Sequence, residues 1–115
     1  ELILARVLEN DPIVQNWLRP APAEFNITYN RGKRYEPDFV VETNNSFYIV
    51  EVKGEDKIDS ADVVSKSNRA VQFCKVATNW ANATGRKPWK YIFIPSQQIQ
   101  ISSNFSTLSE RFLVN

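Results

Sequence analysis

Tyr35-Glu36-Pro37-Asp38-Phe39-Val40-Val41-Glu42-Thr43-Asn44-Asn45-Ser46-Phe47-Tyr48-Ile49-Val50-Glu51-Val52-Lys53-Gly54 is the stretch on which the fold turns. Two runs rich in β-branched and aromatic residues flank Asn44-Asn45, a strong turn signal, so the segment reads as a β-hairpin. If the hairpin closes on Asn44-Asn45 as a two-residue turn, Thr43 faces Ser46, Val41 faces Tyr48 and Asp38 falls opposite Glu51. Opposed residues share a face, and Lys53, two residues on, shares it too. An odd-length turn would instead set Asp38 against Val50 or Val52, on the other face. Two neighbouring carboxylates repel unless something lies between them, and a divalent cation such as magnesium is the natural occupant. The plainer alternative is a half-exposed face with incidental charges. Against it, Val40, Phe47 and Ile49 make that face partly apolar, where charges without partners are costly.

Both faces of the hairpin carry apolar residues, with Phe39, Val41, Tyr48, Val50 and Val52 opposite the Asp38 side. A sheet apolar on both sides must be covered on both, which predicts helices on each face. Downstream, Gly54 to Ser60 reads as a charged loop, and residues 61–84 as one long helix capped by Asp59 or Ser60 and ended by Gly85. Its inward arc is expected to hold Val63, Ala70, Phe73, Cys74, Ala77, Trp80 and Ala81, with Lys66 inside it. Lys66 either snorkels to water or reaches an anionic ligand at the sheet edge. Trp89 to Ile94 is a strand stopped by Pro95; strand, helix, strand makes a right-handed crossover, so this strand should run parallel to the Glu51 strand. Residues 97–103 are compatible with a short extra strand, and Leu108 to Val114 with a closing helix.

Upstream, residues 1–9 form an amphipathic helical pattern with Ile3, Leu4, Ala5, Val7 and Leu8 on one arc; Glu1 falls inside that arc and Glu9 at its edge. A second short helix is expected from Asp11 as N-cap, with Pro12 first and Val14, Trp17 and Leu18 inward, ended by Pro20 and Pro22. Phe25 to Tyr29 reads as a strand and Arg31 to Arg34 as a turn. The fold class is therefore α/β: a mixed central sheet of about four to five strands, flanked by helices on both faces.

At 115 residues the chain has the size of one domain with a single core, and neither repeat nor linker divides it. It begins at Glu1 and has no methionine, which reads as a segment of something longer with partner domains upstream. There is no histidine, which excludes a histidine base, a Ser-His-Asp triad and a histidine-bound zinc within the chain. The single Cys74 makes no internal disulfide, fits a reducing compartment and reads as a buried helix residue. No apolar run approaches membrane-spanning length and no signal peptide is visible. Asn-x-Ser/Thr sequons at Asn26, Asn44, Asn82 and Asn104 read as chance. Net charge is +1, so grip on a polyanion would be modest, with local groups at Arg31, Lys33 and Arg34 and at Arg86, Lys87 and Lys90 that suit solvated loops as well as DNA phosphates.

Asp38 and Glu51 suit one or two magnesium ions, and Lys53 suits charge stabilisation at a phosphorane-like transition state, so the parts fit phosphodiester hydrolysis without a covalent nucleophile. A glycosidase fits less well. Directly opposed strand carboxylates are near the retaining spacing, but the lysine and the lack of a sugar-stacking groove argue against it.

Pro37-Asp38 followed by Glu51-Val52-Lys53 resembles the PD-(D/E)xK motif of the restriction-endonuclease-like nuclease superfamily, and the element order resembles its common core. More narrowly, Glu1…Leu4-Ala5…Leu8, Val14…Trp17…Arg19, Phe25…Ile27…Tyr29, Arg34-Tyr35-Glu36-Pro37-Asp38-Phe39, Val50-Glu51-Val52-Lys53-Gly54 and Lys66…Ala70 resemble the C-terminal nuclease domain of the restriction subunit of type III restriction enzymes. That resemblance implies a restriction-endonuclease-like fold and a magnesium-dependent endonuclease acting on double-stranded DNA, with manganese able to substitute. It implies Asp38 and Glu51 as metal ligands, the Val52 carbonyl as a further ligand and Lys53 as the catalytic lysine. Glu1 would support the metal from the first helix, and Lys66 would be an auxiliary basic residue. The implied partners are an upstream helicase-like motor that uses ATP and a methyltransferase modification subunit that reads the DNA sequence, all in a bacterial or archaeal cytoplasm. Two alternatives remain beside it: a nuclease attached to another helicase-linked repair protein, and an inactive DNA-binding or interaction module of the same fold.

Overall fold

A computed structural model describes residues 2–21, 27–29, 32–54 and 61–115. The hairpin is at its centre. Strand β4 (Phe39–Thr43) pairs antiparallel with β5 (Phe47–Lys53), Val41 opposite Tyr48 and Phe39 opposite Val50. The turn is the two-residue one: Thr43 N–H donates to Ser46 O at 2.9 Å, and the Thr43 hydroxyl accepts from Ser46 N–H at 3.3 Å. Helix α2 (Ala61–Thr84) then crosses over to β6 (Trp89–Pro95), which runs parallel to β5 with Ile49 opposite Tyr91 and Glu51 opposite Phe93. Gly85 ends α2 at φ +69°, with Arg86 N–H donating to Ala81 O at 2.8 Å. This six-to-one closure needs the left-handed backbone that glycine adopts without strain.

Several elements depart from the sequence reading. The expected second helix is instead strand β1 (Val14–Leu18), antiparallel to β4 with Trp17 opposite Val41 and an irregularity between Val14 and Asn16. Its Val, Trp and Leu suit an edge strand equally well, and pairing with β4 decides between the two states. Asp11 caps a turn rather than a helix. Its Oδ1 accepts from Ile13 N–H at 3.0 Å and its Oδ2 from Phe105 N–H at 2.7 Å. Residues 97–103 form no strand; a 3-10 turn (Ser96–Gln98) leads to a loop closed by Ser103 N–H on Gln100 O. The closing helix, α3 (Phe105–Arg111), starts earlier than expected because Asn104 caps it by accepting from Thr107 N–H. Leu113–Val114 becomes β7, antiparallel to β6.

The five-stranded mixed sheet has the order β1-β4-β5-β6-β7. One face is covered by α1 (Leu2–Asn10) and α3: Leu4, Val7, Leu8, Phe105 and Leu108 pack on Phe39, Val41, Val50, Val52, Ile92 and Ile94. The other face is covered by α2 and a separate two-stranded sheet, β2 (Ile27–Tyr29) with β3 (Lys33–Tyr35), so that Ile27, Tyr35, Ala70 and Cys74 enclose Ile49 and Tyr91. Part of the expected strand from Phe25, and Arg31 of the expected turn, lie outside the described residues, while the rest of that turn opens β3 after Gly32 at φ +93°.

The buried stripe of α2 is Val63, Ala70, Cys74 and Ala81. Trp80, expected inward, is 56% exposed, with the Arg86 guanidinium 5.2 Å from its ring. The stripe follows the seven-residue spacing of these small side chains, and Trp80 falls about 100° round the helix from it. Among the described residues no helix is long and apolar enough to cross a membrane.

Candidate active site

One more step of the β4–β5 register sets Asp38 opposite Glu51, as the hairpin reading requires. Hydrogen-bonded and non-hydrogen-bonded pairs alternate along an antiparallel ladder. The Thr43–Ser46 pair is hydrogen-bonded, so Asp38–Glu51 falls on the non-bonded kind, where side chains stand closest. The next pair would be Pro37–Val52. Proline has no N–H to give the Val52 carbonyl. The Val52 N–H is taken instead by the Asp38 side chain, Oδ2 accepting at 2.8 Å. Pro37 thus ends the ladder and Asp38 replaces its last bond with a carboxylate.

Glu51 is 4% exposed, the one buried acid among the described residues. Both its oxygens are engaged. Lys53 Nζ lies 3.2 Å from Oε1, and the Tyr35 hydroxyl donates to Oε2 at 3.2 Å. Burial, followed by the charge of Asp38, pushes the Glu51 carboxyl up to about 7, while Lys53 and the Tyr35 hydroxyl pull the other way. Tyr35 and Tyr91 are held well above the usual phenol range, chiefly by burial.

Asp38, Glu51, Val52 and Lys53 are therefore brought together at the end of β5. Lys66 is half-buried in α2 and pairs with Asp62 at 3.4 Å, one turn back on its own helix. Glu1 lies outside the described residues, and the α1 helix that follows it packs on the sheet face opposite Asp38. Among the described residues no group of three or more acidic, cysteine or histidine side chains converges. Cys74 is buried, and burial pushes its thiol up to about 12, which leaves it no thiolate character at neutral pH.

Of the basic clusters, Arg31 and the side chains of Lys33 and Arg34 lie outside what the structure describes. Lys87 is a structural tie, donating to Glu42 Oε2, to Gln15 Oε1 and to Thr43 O at the hairpin turn. Sequence reasoning missed Tyr35 and Tyr91 as site neighbours. The available signal was chemical: a phenol in a buried strand position needs a polar partner.

Comparison of the chain with protein-family models, with curated proteins and with solved structures finds no match in any of the three.

Proposed function

We propose that this chain is a magnesium-dependent endonuclease domain of restriction-endonuclease-like fold. It would hydrolyse phosphodiester bonds of double-stranded DNA within a type III restriction assembly. A helicase-like motor would use ATP elsewhere in that assembly and a methyltransferase subunit would read the sequence. The observation that carries the reading is the opposition of Asp38 and Glu51 on one face, with Lys53 on Glu51 at 3.2 Å.

The donor set fits a hard divalent cation. Asp38 and Glu51 offer carboxylate oxygens, and the Val52 carbonyl has no Pro37 N–H opposite it. The same fit accounts for a carboxyl buried beside a second one, since a cation would offset the repulsion that raises Glu51. When bound, the metal supplies Lewis-acid polarisation of the phosphate and a more acidic water. The chain's own residues do the rest. Asp38 is oriented by the Val52 amide, Glu51 is held between Lys53 and Tyr35, and Lys53 supplies positive charge where the phosphate becomes more anionic.

Calorimetric titration of Mn2+ and Mg2+ into the wild-type chain and Asp38→Asn tests the reading. Asparagine keeps an acceptor for the Val52 amide and removes only the charge. Wild type should bind, and Asp38→Asn should lose more than the roughly 10- to 100-fold that removing a merely supporting residue costs. Asp38→Ala should abolish DNA cleavage with an unchanged circular-dichroism spectrum. Cleavage that survives Asp38→Ala refutes the site. No metal binding in wild type, with DNA affinity retained, would leave the inactive DNA-binding module as the better reading.

A further inference from the structure

Tyr35 is 2% exposed and reaches Glu51 from β3, a strand outside the main sheet. Tyr91 on β6, 1% exposed, packs in the same cluster. An ionised Glu51 only accepts, so Tyr35 gives it its single proton. The Tyr35–Glu51 bond thus joins β3 of the second sheet to β5 of the main one.

Packing alone does not require these hydroxyls. Tyr35 and Tyr91 sit among Ile27, Ile49, Ala70 and Cys74, where two phenylalanines would fill the same space with no polar atoms to satisfy. With Lys53 on Oε1 and Tyr35 on Oε2, the carboxylate cannot turn about its terminal bond without breaking a contact at each end.

We propose that Tyr35 is a positioning residue that fixes the rotation of the Glu51 carboxylate toward Asp38 and so sets the affinity of the site for a divalent cation. The proposal rests on the metal-site reading above. It adds a partner that a sequence motif around Asp38, Glu51 and Lys53 does not contain.

The test is Mn2+ affinity measured by calorimetry on the chain in five forms: wild type, Asp38→Asn, Tyr35→Phe, Tyr91→Phe and the double phenylalanine variant. Tyr35→Phe keeps the ring and should weaken Mn2+ about tenfold or more, the effect expected when an outer partner of a ligand is removed. Tyr91→Phe removes a buried hydroxyl from the same cluster and is the control, so it should bind Mn2+ as wild type does. The double variant should match Tyr35→Phe in affinity; losses in both single variants that track the melting temperature would mean a structural role and overturn the proposal. Tyr35→Phe binding as wild type does, while Asp38→Asn has lost the metal, overturns the positioning role and leaves the metal site standing. Wild type without Mn2+ affinity overturns both. If Tyr35→Phe does not fold, the hydroxyl proton resonance of Tyr35 in the wild-type chain decides: a shift on adding Mg2+ supports the role, and no change refutes it.

Discussion

Glu51 keeps its proton in the folded chain to a pH at which an unfolded chain has released it. The carboxyl is raised from 4.5 to about 7, first by burial and then by the charge of Asp38. Because the folded value is the higher one, the linked stability is fully present below pH 4.5 and is lost as pH rises toward 7. The interval corresponds to about 3 kcal/mol as an order of magnitude. Glu51→Gln cannot ionise, so it should flatten that slope and be more stable than wild type above pH 7, by about 1–3 kcal/mol. Urea denaturation of both proteins at pH 5 and pH 8 checks this, and parallel losses in the two would show that another group sets the slope. At this scale the shared face of Asp38, Glu51 and Lys53 was legible from strand alternation together with a two-residue turn. Tyr35 was not legible that way, because its contact with Glu51 depends on how β3 folds over the main sheet. Lys66 left two readings open, and the structure gives it Asp62 as a partner.

The Asn44-Asn45 turn and α2, with strong local signals, matched their reading, while β1 and β7, settled by distant pairing, did not. The Asn44-Asn45 turn, the α2 span and its Gly85 stop are written in local chemistry. β1 and β7 are made by the neighbours they join: five residues of mixed polarity become a strand only because β4 is there to pair with, and β7 is two residues long. The junction of α2 with β6 offers a test of such a distant contact. Thr78 Oγ1 accepts from Trp89 N–H at 2.9 Å and donates to Trp89 O at 3.0 Å, which fixes where β6 begins beneath the helix. Thr78→Val leaves the Trp89 amide without that acceptor and should cost about 1–3 kcal/mol in urea denaturation. Thr84→Val is the matched control, since the Thr84 hydroxyl donates only to carbonyls of its own helix, Trp80 and Ala81. It should change stability by less than about 0.5 kcal/mol, and equal effects would refute the role given to Thr78.

Across the whole molecule, apolar residues on both hairpin faces foretold the layering, with α1 and α3 on one side and α2 on the other. The crossover foretold the parallel β5–β6 pair. What could not be foreseen was the second, two-stranded sheet lying on the α2 side, because nothing in a single strand's alternation says which of two sheets it joins. Asp11 binds the ends of the other layer together, carrying the corner between α1 and β1 onto the start of α3. Asp38, just before β4, and Glu51 of β5 lie on the face that α2 and this second sheet cover.

The replacement of a ladder bond by a carboxylate gives the molecule a built-in clock. Amides inside a sheet exchange with solvent deuterium when strands part, often in a cooperative unit. The Val52 amide is held by the Asp38 side chain, so it is released when that one carboxylate swings away, with the sheet still closed. Its exchange should run ahead of that of Ile92, buried in the central layer, and should quicken in Asp38→Ala while Ile92 keeps its wild-type rate. Residue-resolved exchange by NMR would then time the opening of two opposed acids without any substrate, and equal exchange at both amides would mean that the site opens only when the whole fold does.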